Sequence, residues 1–525
     1  MDLVPENIKN ALLTAETHGE SKIKEFVESR ICKQDFGFHV KLKQSQSPTL
    51  TTMYTLETRK DASQKGQTIK ADRLLFQRLL VAQDSGRDID LKSLLSHELT
   101  PVPLSLADTA ERLRPTNKAA LGKILEDGVT VEVLPKSSLK TCFIMDGQAL
   151  VQAIGKPTRA KSFGDLADVF NASVFSHFNE HCSRVDVVFD RYRITSIKSG
   201  TRERREGRVR SIRRKIDSRE IPLPANWKQF MDLPENKANL TKFLSDQMML
   251  EAKKNRPTCE LITAGGFEEE TKVASSQGSD VEQLQSSHEE ADTRIILHAK
   301  AAYMDGYERI IVSCRDTDVL VLLTHFAGQL SGELWMRTGT RQERRYVAVH
   351  DIQLTPTMQR NILVYHVVTG CDTVSQPSGH GKKTTWKVFQ QHGALLDDLG
   401  RGTLSESTIR SVEEFFCRIY SPASDDTNIN DVRYRMFQKG TKDQEKLPPS
   451  RKCLEQHIKR AHHQAQVWLQ ADVPIPEIES PIGSGWYEDA TRRPPTRQCG
   501  RSSAKRVHRH SLLQVQILCN FQMLL

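Results

Sequence analysis

The chain has 525 residues, a mass of 59.5 kDa, a formal net charge of +9 and a mean hydropathy of −0.50. That length exceeds one ordinary domain. No apolar run approaches the ~18 residues of a membrane span. MDLVPENIKN has neither the basic nor the apolar part of a secretory signal, and the ten cysteines contain no CxxC pair. A membrane protein, a secreted disulfide scaffold and a zinc finger are therefore not expected, and the nucleus or cytoplasm is the expected compartment. The charge is uneven: residues 191–215 hold eleven Lys/Arg against Glu203 and Glu206, a local +9, and residues 491–510 hold seven Arg/Lys and no acid, a local +7. Set against the total of +9, the rest of the chain sums to −7. A mildly acidic body with two basic segments points to an anionic partner, nucleic acid first.

Residues 1–135 read as an accessory, mainly helical region. Helical apolar spacing recurs over 1–30 and 67–83, residues 38–57 alternate like a hairpin, and the helix predicted in DIDLKSLLSHELTPVPLSLAD is ended by Pro101 and Pro103.

From residue 139 four apolar runs each end in aspartate. LKTCFIMD ends at Asp146, VDVVFD at Asp190, RIIVSCRD at Asp316 and NILVYHVVTGCD at Asp372. Short β-branched runs between helical stretches predict an α/β fold, a central, mostly parallel sheet with helices on both faces. In such a sheet the ligand crevice lies at the carboxyl ends of the strands, where these acids would converge. A lone Asp after a strand is ordinarily a turn former or helix cap; four with the same placement ask for more. SSHEEADTRIILHAKAAYMDG reads as an amphipathic helix whose start carries Glu290 and Asp292, with Ser287-x-x-Glu290 fitting a capping box. Asp318 adds a second carboxylate beside Asp316, and the pair could equally start the helix VLVLLTHF.

Seven carboxylates around one crevice (Asp146, Asp190, Glu290, Asp292, Asp316, Asp318 and Asp372) raise each other's pKa and call for counter-charge. Two Mg²⁺ ions, with Mn²⁺ as a substitute, suit oxygen ligands and phosphodiester hydrolysis. The basic segment after Asp190 would neutralise an entering phosphate. Gly379-x-Gly381, followed by Lys382 and Lys383 at a predicted helix start, could bind backbone phosphate without reading sequence. It is not a P-loop.

In this order the blocks resemble the flap-endonuclease (XPG-like) branch of the PIN-like nucleases, over about residues 139–400. FIMDG resembles the first metal strand of that family, and VVFDRYRITSIKSGTRERR its second strand and helical arch. HEEAD resembles its E-A-E motif, CRDTDVL its D-x-D motif, and TGCDTVSQPSGHGKKTTW its last metal Asp and helix–turn–helix. The resemblance implies the seven acids as ligands of two metals and Lys198 and Arg205 as catalytic, with Arg204 the alternative to Arg205. It also implies Arg202, Arg204, Arg208, Gly379, Gly381, Lys382 and Lys383 as nucleic-acid contacts, DNA before RNA. Where the family has an acid ahead of D-x-D, this chain has Arg315, and about 140 residues precede Asp146. The blocks are also similar to a group of animal proteins, some with a tesmin/TSO-type CXC segment that is not found here. The expected organisation is 1–135, a nuclease core over 136–440 with a basic arch (191–215) and a helix–turn–helix (370–400), then a helical and finally disordered basic tail over 441–525. A metal-dependent structure-selective nuclease is the leading expectation. An inactive nucleic-acid-binding protein of mobile-element origin and a protein-interaction module are the alternatives.

Overall fold

The computed structural model describes residues 14–33, 90–100, 102–108, 112–191, 213–255, 258–330, 332–339, 343–439, 441, 443–488 and 513–515. The chain divides into Met1–Ser85 and Gly86–Leu525. In the first unit, α1 (Ala15–Val27) continues into a π-helical turn, Glu28–Cys32. The expected hairpin at 38–57 and helix at 67–83 lie outside the described residues.

The second unit is built on an eight-stranded sheet: β1 (Thr130–Val131), β2 (Thr141–Asp146), β3 (Cys182–Val188), β4 (Glu260–Ala264), β5 (Val273–Ser275), β6 (Arg309–Ser313), β7 (Glu333–Gly339) and β8 (Arg344–Ala348). Their order is β1-β8-β7-β6-β2-β3-β4-β5. The five central strands, β7 to β4 in that order, are parallel, whereas β1, β8 and β5 join antiparallel at the edges. The α/β, mostly parallel expectation holds. Successive strands run outward from β2 through β3 to β4, and then from β6 to β7 on the other side. The order thus reverses between β2 and β6, which opens a crevice at their carboxyl ends.

Helices cover both faces. α3 (Ala119–Glu126), α8 (Ala291–Met304) and α9 (Thr317–Phe326) pack on the face carrying Cys142, Ile144, Ile310 and Val312. The face carrying Phe143, Met145, Val185 and Val187 is covered by α4 (Gly147–Ile154), α5 (Phe163–Phe175), α6 (Trp227–Asp232) and α7 (Pro234–Asn255). Because both faces are covered, β2 is continuously apolar from Cys142 to Met145 rather than alternating.

The run NILVYHVVTGCD, expected as a strand, is helical instead: α10 spans Pro356–Val368. Thr355 caps it, Pro356 occupies its first turn, and Ile362, Leu363, Val364, Tyr365, Val367 and Val368 are all buried. A helix enclosed on every side is apolar all round, so its sequence loses the amphipathic signature. It is enclosed by α9, α11 (Lys382–His392), the 3-10 turn Gly393–Leu396 and α14 (Arg451–Leu469); α12 (Glu406–Tyr420) packs on that turn, and α13 (Ile429–Gln438) packs on α12.

The sheet-bearing unit starts well before residue 136. In α2 (Leu91–Leu95), Leu95 is buried, as are Leu99, Leu104 and Leu106 beyond it. The Glu98 carboxylate accepts from Ser450 N at 2.6 Å and meets Arg433 at 3.3 Å, tying this segment to the C-terminal helices. Among the described residues no helix is long and apolar enough to cross a membrane.

Candidate metal centre

The crevice is lined by residues that end strands and begin helices. Asp146 is the last residue of β2 and the N-cap of α4, and its Oδ1 accepts from Gln148 N at 2.8 Å and Ala149 N at 2.9 Å. Asp190, two residues beyond β3, accepts from Ala291 N at 2.8 Å and so fastens the start of α8. Glu290 is the N-cap residue of α8 and Asp292 lies in its first turn; Ser287, expected to cap this helix, does not. Asp316 caps α9 and accepts from Asp318 N at 3.0 Å. Asp318 is fully buried in that first turn. Asp372 follows α10, in the loop 369–381 that leads to α11. Capping and gathering turn out to be the same arrangement: helices that start where parallel strands end bring their cap acids to one edge.

Ligand atoms of Asp292, Asp316 and Asp318 lie within 4.8 Å of one another. Asp372 joins this group through Lys118, the residue that starts α3. The Lys118 Nζ reaches Asp318 Oδ2 at 2.8 Å, Asp316 Oδ1 at 3.2 Å and Asp372 Oδ1 at 3.2 Å. Burial alone would pull this ammonium down; Asp318, Asp316 and Asp372 outweigh it and hold the group above its ordinary value. On the β2 side, burial and then Asp190 push the Asp146 carboxyl up to about 7, against the pull of the Ala149 and Gln148 N–H groups. Asp316 is raised too, by burial and by Asp318, with Lys118 opposing. Cys314 Sγ lies 4.0 Å from Asp146 Oδ2, and burial with Asp146, Asp292 and Asp316 nearby raises its thiol far above the usual range, so it stays protonated. The donors facing the crevice are thus carboxylate oxygens, with Asp146 and Asp316 held back from ionising, and that set fits a hard divalent cation.

Behind Asp318 stands buried His366 of α10, with Nε2 2.8 Å from Oδ1. Burial and the Lys382 charge lower this ring to about 4, so it is neutral, and a carboxylate that only accepts fixes its proton on Nε2.

Lys382 departs from expectation. Its Nζ donates to His366 O and, at 2.8 Å, to Thr369 Oγ1, and the residue is 1% exposed. It shares the inward face of α11 with Thr385, Val388 and Phe389. Burial lowers it to about 7, and it satisfies carbonyl and hydroxyl groups at the end of α10 instead of a phosphate. Lys383, the next residue, is exposed. Gly379 (φ +77) forms the exposed corner of a turn closed by His380 N donating to Pro377 O at 3.0 Å. Gly381 is the N-cap residue of α11. Lys198, Arg202, Arg204, Arg205 and Arg208 lie outside the described residues, as does the basic block 491–510.

Sequence reasoning missed Lys118 and His366, although both left a trace. A lysine opening an apolar helix opposes the helix dipole, and only nearby acids make that placement favourable. A histidine within NILVYHVV is a polar group inside a buried run, and such groups have partners.

No family model matches the chain, and no curated protein matches it. Among solved structures, a bacteriophage T5 D15 flap endonuclease variant, in a pseudo-enzyme–product complex with DNA and metal ions, is similar at 12% identity and a TM-score of 0.31. It covers 63% of this chain and 99% of its own. T5 D15 protein co-crystallised with metal ions is similar at 12% identity and a TM-score of 0.30, over 63% and 97%. At that level the likeness assigns no role to any residue of this chain.

Proposed function

We propose that the chain is a divalent-metal-dependent phosphodiester hydrolase acting on nucleic acid, a PIN-like nuclease of the flap-endonuclease kind. The observation that supports this most is the meeting of Asp292, Asp316 and Asp318 at the carboxyl edge of the sheet, beside the point where strand order reverses. Asp146 borders them across the β2–β6 crevice with Asp190 beside it, Asp372 is joined through Lys118, and in this proposal Glu290, at the start of α8, adds to the acidic wall. A bound Mg²⁺ or Mn²⁺ would supply Lewis acidity toward a phosphoryl oxygen and a more acidic water. The acids orient that ion, His366 holds Asp318 in place, and the low-dielectric walls strengthen every charge interaction inside. In the same proposal Lys198 and Arg205 offset the charge of the scissile phosphate. Arg202, Arg204, Arg208, Lys383 and the Gly379–Gly381 turn hold backbone, of DNA in preference to RNA.

The test is incubation of full-length protein with labelled single-stranded, duplex and 5′-flap DNA and their RNA counterparts, with Mg²⁺ or with EDTA. Cleavage that requires the metal, is greatest on the branched DNA and is lost in Asp316→Asn/Asp318→Asn supports the proposal. Salt-sensitive binding without cleavage of any substrate overturns it in favour of an inactive nucleic-acid-binding protein.

A further inference from the structure

Lys118 comes from outside every block that suggested a metal site, yet its ammonium sits among three of the seven acids. An ammonium has three N–H donors, and three carboxylates, from Asp316, Asp318 and Asp372, lie within 3.2 Å of it. Both oxygens of Asp318 thereby have partners, Oδ2 with Lys118 and Oδ1 with His366. The lysine is only 18% exposed and is carried at the start of α3, whose Leu121 and Leu125 are buried in the core, so the helix cannot swing it away cheaply. A cation at a helix N-terminus faces the positive end of the dipole; here the acids offset that cost.

We propose that Lys118 is a resident cation of the carboxylate centre. It stands where a second divalent ion would be shared by Asp316, Asp318 and Asp372, so the protein takes up one divalent ion, at the group formed by Asp292, Asp316 and Asp318. This rests on the reading of the acids as metal ligands. A second ion would have to displace a charge already matched donor for acceptor, and Asp318 and Asp372 would have to give up their bonds to it. The single ion would then work beside a fixed positive charge that needs no loading from solution.

Mn²⁺ binding to the full-length protein at neutral pH, followed by electron paramagnetic resonance and calorimetry, tests this without any substrate. The expected result is one ion per chain for the natural protein and two for Lys118→Met, a doubling, with Lys118→Arg remaining at one. Two ions in the natural protein overturn the proposal without recourse to a variant. One ion in a Lys118→Met protein whose melting transition is intact overturns it as well. Failure of the underlying reading looks different: no stoichiometric Mn²⁺ binding in either protein, or binding untouched by Asp292→Asn/Asp316→Asn.

Discussion

Asp146 carries both a structural and an electrostatic load, and its carboxyl, raised to about 7, gives the metal-free protein a particular pH dependence. Its folded pKa lies above its unfolded one. Below about pH 4 both states hold the proton, and stability from this group is fully present. As pH rises toward 7 the unfolded chain gives up the proton first, so stability falls through that window by about 1.4 kcal/mol per unit at most. Urea midpoints measured in EDTA should drop between pH 5 and 7 and level off above, and Mn²⁺ at pH 8 should restore them. A flat profile, or an unchanged slope in Asp146→Asn, would show that the carboxyl is not under this pressure. His366→Ala tests the other buried partnership. Removing the ring deprives Asp318 of a buried donor, at a cost of about 1–3 kcal/mol in a denaturation measurement. If the midpoint is unmoved, His366 is not what holds Asp318.

At the scale of elements, three of the four aspartate-ended runs could be read as strands because β2, β3 and β6 are covered on both faces. The fourth could not be told from a helix: an apolar run has no period when every side is buried, and here the neighbouring Thr355 and Pro356 carried the deciding signal. β4, β7 and β8 escaped notice for the opposite reason. They are short or carry a charged residue within them, Arg337 in β7 and Arg345 in β8, so their apolar runs fall below what stands out. Leu363→Ala in α10 should cost about 2–5 kcal/mol, read as a shift in unfolding free energy, as expected for a wholly enclosed side chain. Gly265 is a sharper case. Its φ is +82, and a Cβ there would sit 2.0 Å from Phe189 O, on the residue just before Asp190. Gly265→Ala should lower the melting temperature and also weaken Mn²⁺ binding several-fold, though no acid is touched. Unchanged metal affinity in a destabilised variant would mean that the end of β3 does not set the position of Asp190.

Across the whole molecule, the acidic crevice was legible as a set because strand ends and helix starts leave a recurring pattern in sequence. What supports it was far less so: Lys118 and His366 leave only faint local traces, and the long-range packing around them leaves none. Residues 90–126 supply Lys118 and part of the core, and they bond to residues beyond 430. A chain begun at Gly86 should therefore unfold cooperatively, and one begun at residue 136, which lacks Leu95, Leu99, Leu121 and Leu125, should not. Circular dichroism melts and limited proteolysis of the two would decide, and a sharp transition in the shorter chain would refute it.

Asp146, Asp190 and Asp316 each accept a backbone N–H at a helix start. Losing such a cap costs about 0.5–2 kcal/mol, a sizeable share of a domain's net stability. Over evolutionary time that ties these positions to folding as well as to chemistry. Selection for a folded chain alone would preserve them after catalysis had gone, so a descendant that cuts nothing would still spell out much of the pattern of one that does.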